Sequence, residues 1–144
     1  MKTIRQVLEA KGYDVYSIVP EAKVYKALLE MANRNVGALV VLEGEELVGL
    51  ISERDYARKV ILKEKASKDT AVSEIMSRQV VCVSPTLKVD ACMMLMTDKR
   101  IRHLVVMDDD RLTGIVSIGD VVKAIIDHQK FTIEQLTHYI SGGR

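Results

Sequence analysis

Gly49-Leu50-Ile51-Ser52-Glu53-Arg54-Asp55 recurs 65 positions later as Gly114-Ile115-Val116-Ser117-Ile118-Gly119-Asp120. The match extends well beyond that phrase. Residues 15–61 align without a gap on residues 80–126, with identities at Pro20/Pro85, Val24/Val89, Leu39-Val40-Val41/Leu104-Val105-Val106, Gly49/Gly114, Ser52/Ser117 and Asp55/Asp120. The chain is an internal duplication, so a functional site is expected twice, in two related versions.

Upstream of each phrase lie the signals of one unit read twice. Val24, Ala27, Leu28 and Met31 stand at i, i+3, i+4, i+7, and Val89, Cys92, Met93 and Met96 repeat the spacing, which predicts an amphipathic helix in each copy. Pro20 and Pro85 are expected to open these helices at their first position, with Ser84 as an N-cap. The Met-rich run Cys92-Met93-Met94-Leu95-Met96 has helical spacing and reads as core filling, and the alternating charges Lys23, Lys26, Glu30 and Arg34 read as a solvated helix face.

Short extended runs, Val15–Ile18 and Val80–Val83, precede the helices, and two strands follow them. Polar turns, Glu43-Gly44-Glu45-Glu46 and Asp108-Asp109-Asp110-Arg111, divide each strand pair into a hairpin. A second helix opens near Ser52 or Ser117 and runs to about Leu62 or His128. The predicted fold is α+β: a β-α-β-β-α unit twice over. Residues 1–62 form the first repeat, 63–70 a charged linker, 71–128 the second repeat and 129–144 a C-terminal helix and tail. Thr3–Leu8 and Ala71–Met76 are similar lead-in helices, each assigned to the repeat it precedes. Phe131, Leu136, Tyr139 and Ile140 predict an extra packed helix at the C-terminus.

Composition narrows the function. At 144 residues and 48% hydrophobic content the chain has an ample core. Twenty-one Lys plus Arg against twenty Asp plus Glu give a net charge of +1 with no basic block, so a nucleic-acid partner is not expected. No apolar run reaches the roughly 18 residues of a membrane span, and the start lacks the apolar core of a signal peptide, which points to the cytoplasm. Cys82 and Cys92 have neither redox-pair nor metal-ligand spacing and read as buried structural thiols. No metal cluster, P-loop or Ser-His-Asp order is present, so a catalytic function is not expected.

The repeated phrase carries the chemistry. Ser-x-x-Asp where a strand enters a helix makes a capping box, the hydroxyl accepting an orphan N–H and the acid reaching back. The same helix end presents N–H groups and a positive dipole to an anion such as phosphate. An Asp one turn in can accept both hydroxyls of a ribose, and a strand glycine is expected to let such a ligand approach closely.

The duplication, the prolines before the helices and the paired Gly-x-x-Ser-x-x-Asp phrases resemble the CBS domain family, named after cystathionine β-synthase, in its tandem form, the Bateman module. The resemblance covers nearly the whole chain. Ile51–Val60 is especially similar to a subgroup of small stand-alone CBS-pair proteins, some of which bind AMP or NAD. It implies two repeats in a pseudo-twofold pair with two clefts. The preferred cleft would use Ser117, Asp120, Ile115, Val80, Val81, Arg102 and His103, with Val19 and Val24 from the other repeat. Arg102 and His103 would lie near the phosphate, for which a guanidinium is well suited. The second cleft would use Ser52, Asp55, Leu50, Val15, Tyr16, Gly37, Ala38, Arg54 and Arg58, with Ser84 and Val89. Gly37 and Ala38 stand there in place of Arg102 and His103, so the two clefts are expected to be unequal.

The expected function is a regulatory module that binds an adenine nucleotide, AMP first and NAD second, as a bound ligand rather than a catalytic cofactor. It would report that ligand to a regulated partner protein and act as a homodimer. Two other classes compete: a ligand-free structural or protein-interaction module whose Ser-x-x-Asp phrases are only caps, and a redox regulator acting through Cys82 or Cys92.

Overall fold

A computed structural model describes residues 1–142. Its elements are α1 (Ile4–Lys11), β1 (Ser17–Ile18), α2 (Val24–Arg34), β2 (Ala38–Glu43), β3 (Glu46–Ser52), α3 (Glu53–Lys59), a 3-10 turn (Ile61–Lys63), α4 (Val72–Ile75), β4 (Cys82–Val83), α5 (Val89–Lys99), β5 (His103–Asp108), β6 (Arg111–Ser117) and α6 (Ile118–Ile140). The β-α-β-β-α order is present twice, as the duplication requires. Each copy carries a three-stranded mixed sheet, in which β1 runs parallel to β2 and β2 antiparallel to β3, and likewise for β4, β5 and β6. In both hairpins the register slips by one residue, between Val41 and Leu42 and between Val106 and Met107. Such a bulge adds twist to a hairpin.

The chain divides into two compact units, and these differ from the sequence repeats at the lead-in helices. One unit is Val15–Val81; the other joins Met1–Asp14 to the chain from Cys82 onward. Each lead-in therefore packs in the unit of the opposite repeat, not with the repeat it precedes. Backbone hydrogen bonds explain the exchange. In the first-repeat unit Val72 and Ser73 donate their N–H groups to the carbonyls of Ala22 and Pro20, at 2.8 and 3.0 Å, and Val24 donates to Thr70 at 2.8 Å. In the other unit Ile4 and Arg5 donate to Leu87 and Pro85, both at 2.9 Å, and Val89 donates to Lys2 at 2.9 Å. The first N–H groups of a helix need partners from outside it, and here a lead-in helix and a core helix supply each other.

This use of the prolines corrects the expectation that they begin the helices. α2 and α5 start at Val24 and Val89, with Lys23 and Lys88 at the N-cap. Pro20 and Pro85 sit earlier, buried in the turn, as carbonyl acceptors for the lead-in. Ser84 does not cap α5; its hydroxyl accepts the Thr86 N–H at 3.3 Å in a local turn.

The glycines of the repeated phrase also serve the lead-ins. A Cβ on Gly49 would lie 2.7 Å from Met76 Sδ and 2.9 Å from the Ser77 carbonyl oxygen, and one on Gly114 would lie 2.8 Å from Leu8 Cδ2. The space expected to admit a ligand is filled by a lead-in side chain. Around these seats lie the two cores. Ile18, Val24, Ala27, Met31, Leu39, Val41, Ile51, Val60, Val72, Ile75 and Met76 form that of the first-repeat unit, and Ile4, Leu8, Val89, Cys92, Met96, Leu104 and Val116 are buried in the other.

Three further expectations change. Cys82 is exposed, because it occupies the solvent side of the two-residue strand β4, whereas Cys92 is buried as expected. The linker is mostly exposed, but Thr70 at its end is 4% exposed and its hydroxyl donates to the Ala66 carbonyl at 2.8 Å. The C-terminal segment is helical as expected, but it continues α6 rather than forming an extra packed helix. No breaker stands near His128, so α6 continues unbroken to Ile140 and leaves Phe131, Ile133, Leu136 and Tyr139 exposed. The expected tail residues 143–144 lie outside the described residues.

The glycine seats predict unequal penalties. At Gly49 the nearest backbone atom is the Ser77 carbonyl oxygen, pinned by reciprocal hydrogen bonds with Leu50 at 3.0 and 2.9 Å. At Gly114 only the tips of the Leu8 side chain must move. Gly49→Ala should lose about 2–3 kcal/mol of unfolding free energy and Gly114→Ala about 1 kcal/mol, within the range of overpacked cores. Urea denaturation of the two variants measures both, and a reversed order would contradict the seating.

Candidate functional site

The strand-to-helix junction of each unit is built by its ladder. In β5 and β6 the register places His103 opposite Ser117, and in β2 and β3 it places Ala38 opposite Ser52. The residue before each opposing strand position is then aligned with the first turn of the next helix. Arg102 accepts the Ile118 N–H through its carbonyl at 2.8 Å, and Gly37 accepts the Glu53 N–H at 3.1 Å. Arg102, His103, Ser117 and Asp120 are thus brought together within one unit, as are Gly37, Ala38, Ser52 and Asp55 within the other.

Both phrases form complete capping boxes. Ser117 Oγ accepts the Asp120 N–H at 3.2 Å while Asp120 Oδ2 accepts the Ser117 N–H at 2.8 Å; the corresponding Ser52 and Asp55 distances are 3.2 and 2.9 Å. Together with the Arg102 carbonyl, this engages the N–H groups of Ser117, Ile118 and Asp120. Of the four orphan donors that open α6, Gly119 is the one left unengaged among the described residues. A phosphate would find fewer donors at the helix end than the motif alone suggests, which shifts weight onto Arg102, exposed beside it.

Each carboxylate also carries a lysine that the sequence reading missed. Lys11 of α1 donates to Asp120 Oδ2 at 2.5 Å and to the Ile115 carbonyl at 2.8 Å. Lys59 pairs with Asp55 Oδ1 at 3.1 Å and donates to the Ile75 carbonyl at 2.9 Å. Partial burial raises the Asp120 pKa, but the hydrogen bond and charge of Lys11 and the hydrogen bonds of Ser117 outweigh it and hold the carboxyl below its ordinary value. Charge-assisted bonds of this kind favour the ionised form, which is the form that accepts hydroxyls. Lys59 follows Asp55 at i+4 on one helix, a spacing visible in the sequence; Lys11 precedes Asp120 by 109 positions, and nothing local announces it.

The remaining candidates divide by burial. Leu50 and Ile115 are half-buried strand residues, the former bonded to Ser77 and the latter to Lys11. Arg58 is exposed on α3, and Arg54 is half-buried beside the junction. Tyr16 is half-buried with its ring 4.8 Å from the Arg34 guanidinium. Val15, Val80 and Val81 are half-buried and lie outside the two-residue strands, and Val19 is 50% exposed. Val24 and Val89 are corrections: both are 0% exposed and belong to the cores of their own units, so neither can line a ligand surface. Ala38, at 6%, offers backbone more than side chain.

Neither thiol has the character of a redox sensor. Desolvation pushes the Cys82 thiol up, and desolvation with the Asp90 charge pushes Cys92 to about 11. A reactive cysteine needs the opposite shift. Among the described residues there is no group of His, Cys, Asp and Glu that could hold a metal ion, and no helix is long and apolar enough to cross a membrane.

Comparison with known proteins gives a consistent set of relatives. The CBS domain family model matches residues 5–62 and 72–127. The mitochondrial CBS domain-containing protein CBSX3 of Arabidopsis thaliana is 41% identical over 150 residues, covering 98% of this chain and 73% of the relative. A CBS-domain protein of Burkholderia ambifaria MC40-6 has a similar structure, with a TM-score of 0.86 and 45% identity over 89% of this chain and 96% of that one. A CBS domain pair solved with 5′-methylthioadenosine and S-adenosyl-L-methionine shares the fold at 23% identity, with a TM-score of 0.76 over 86% of this chain and 99% of that one.

Proposed function

This chain belongs to the CBS domain family, with both repeats present, and from that premise we propose that it is a non-catalytic regulatory module that binds an adenine nucleotide, AMP in preference to NAD, and passes the state of its site to a partner protein. The observation that carries the reading is the duplicated junction, where an Asp is fixed one turn inside a helix by a complete capping box. That carboxylate suits a ribose diol. In the unit containing α6, Arg102 and His103 beside it suit the adjoining phosphate. A relative's crystallised complex with two adenosyl ligands supports the class of ligand. The proposed contacts are Ser117, Asp120, Arg102, His103 and Ile115 in one unit, and Ser52, Asp55, Arg54, Arg58 and Leu50 in the other. A cytoplasmic setting is part of the proposal; the mitochondrial name belongs to the plant relative.

One observation favours the competing reading of a ligand-free interaction module: both capping boxes are complete without a ligand. Nucleotide titration separates the two. At ~100 times its dissociation constant a ligand stabilises the native state by roughly 2.7 kcal/mol, which for this size raises the melting temperature by about 5–10 °C. AMP should produce that shift, and Asp120→Ala should weaken AMP binding about tenfold or more, the scale of a lost charge-assisted bond, with Asp55→Ala weakening it less. Absence of both a melting shift and calorimetric heat with AMP and NAD would leave the interaction module standing. Equal losses in the two variants would refute the inequality.

The homodimer belongs to the same proposal. Phe131, Ile133, Leu136 and Tyr139 on the C-terminal half of α6 are each more than half exposed. A second copy would remove such residues from water within the ~1,200–2,000 Å² of a specific interface. Light scattering should give a dimer at tens of micromolar and a monomer for Ile133→Glu/Leu136→Glu; a monomer in both cases would contradict the dimer.

A further inference from the structure

α6 is packed over its first turns only. Val121 and Ala124 are buried, but every residue from Gln129 to Ile140 is exposed, on all sides of the helix. A helical stretch of about 12 residues with no tertiary packing is marginal in water even for good helix formers. Thr132, Ile133, Thr137, Tyr139 and Ile140 are β-branched or aromatic types that support a helix poorly, so its support has to come from another molecule. Along it Val122, Ile126, Gln129, Ile133, Leu136 and Ile140 follow one another at alternating steps of four and three, the hydrophobic repeat of a coiled coil. The five apolar members are all exposed, from 39% at Val122 to 82% at Ile140. At 100° per residue this seam runs along a different side of the helix from Val121 and Ala124. Of the residues assigned to the dimer above, Ile133 and Leu136 stand in it, Tyr139 flanks it and Phe131 faces away.

The composition of the seam identifies its occupant and the direction of pairing. Ile126, Ile133 and Ile140 take position a of the heptad, and Val122, Gln129 and Leu136 take position d. β-branched residues at a with Leu at d favour two parallel strands. Gln129 points the same way. In parallel register it meets Gln129 of the second copy, and each side-chain amide offers a donor and an acceptor to the other. Antiparallel pairing, with Val122 opposite Ile140, sets it against Ile133 and buries an unmatched amide, which is costly. The flanking charges agree. Parallel pairing lays Lys123 and Lys130 beside Ile118 and Ile125 of the second copy, where a lysine stem can cover an apolar side chain; antiparallel pairing brings Lys130 against Lys130. Two such seams with their flanks take on the order of 1,200 Å² from water, at roughly 60–120 Å² per apolar side chain, and specific dimers begin at ~1,200 Å². Resting on the homodimer reading above, we propose that α6 pairs with α6 of a second copy as a parallel, in-register, two-stranded coiled coil through Val122, Ile126, Gln129, Ile133, Leu136 and Ile140, so that both Asp120 junctions lie at the same end of the paired helices.

Disulfide cross-linking of the full-length chain tests this. Cys82 is exposed and Cys92 buried, so a Cys82→Ser background leaves an added cysteine as the reactive thiol. Mild oxidation should join Gln129→Cys chains, and separately Ile140→Cys chains, into covalent dimers at least tenfold faster than Asp127→Cys chains, whose cysteine lies off the seam. Ile140→Cys reads the direction. In antiparallel pairing it would stand opposite Val122, about 27 Å along the axis from its counterpart at 1.5 Å per residue. The three altered positions are exposed, so no core is disturbed. A dimer by light scattering in which either seam cysteine reacts no faster than Asp127→Cys, or a trimer, would overturn the parallel two-stranded seam while leaving self-association standing. A monomer for the unaltered chain at tens of micromolar would remove the homodimer reading itself, and this inference with it.

Discussion

The seat of each lead-in helix on a strand glycine is the constraint on which the rest of this structure depends. Leu8 occupies the space over Gly114, and Met76 with the Ser77 carbonyl occupies that over Gly49. A Cβ at Gly49 would press on the Ser77 backbone that follows its lead-in, and one at Gly114 on the Leu8 side chain. Because each lead-in belongs to the unit of the opposite repeat, the first-repeat unit runs continuously over Val15–Val81, whereas the other must join Met1–Asp14 to the chain from Cys82 onward. The lead-in segments accept the backbone N–H groups of Val24 and Val89 that open the core helices, and deliver a lysine or a lysine acceptor to the aspartate of the junction.

That delivery links packing to chemistry. A capping box by itself orders the first turn of a helix and consumes donors that an anion would otherwise use. With Ser117, Ile118 and Asp120 N–H groups engaged, the recognition proposed for the α6 junction falls to the Asp120 carboxylate and to Arg102 and His103. Lys11, together with the Ser117 hydrogen bonds, holds that carboxyl below its ordinary pKa, and it comes from a helix that is itself seated on Gly114. A change in lead-in docking would therefore be felt at Asp120.

Much of this was legible in the sequence, for identifiable reasons. Duplication made the two units and their strand order readable, since each weak local signal appeared twice at one fixed offset. The Ser-x-x-Asp boxes formed as expected because a cap is decided within four residues. Gly49 and Gly114 were singled out correctly but for a different neighbour: the sequence shows that a Cβ is missing, not what fills its place. In the sequence Pro20 and Pro85 look like helix starts, because a proline advertises its φ angle and hides its carbonyl, which here is the group in use. Val24 and Val89 could not be told from ligand-lining residues by type, and only burial separates them. Lys11 is invisible to local sequence pattern because its contact is tertiary, and the unbroken α6 looks like two pieces in sequence because exposed apolar residues imitate a packed face.

The central claim is that nucleotide is held at the junction of Ser117 and Asp120, and amide chemical-shift mapping on the isotopically labelled chain tests it most directly. Adding AMP should move the resonances of Ser117, Ile118, Gly119 and Asp120 most, followed by Arg102, His103 and the end of α1 at Lys11. Saturable shifts confined to another surface, such as the hollow lined by Cys82, Ser84, Lys88 and Asp90, with the junction amides unmoved, would contradict the account.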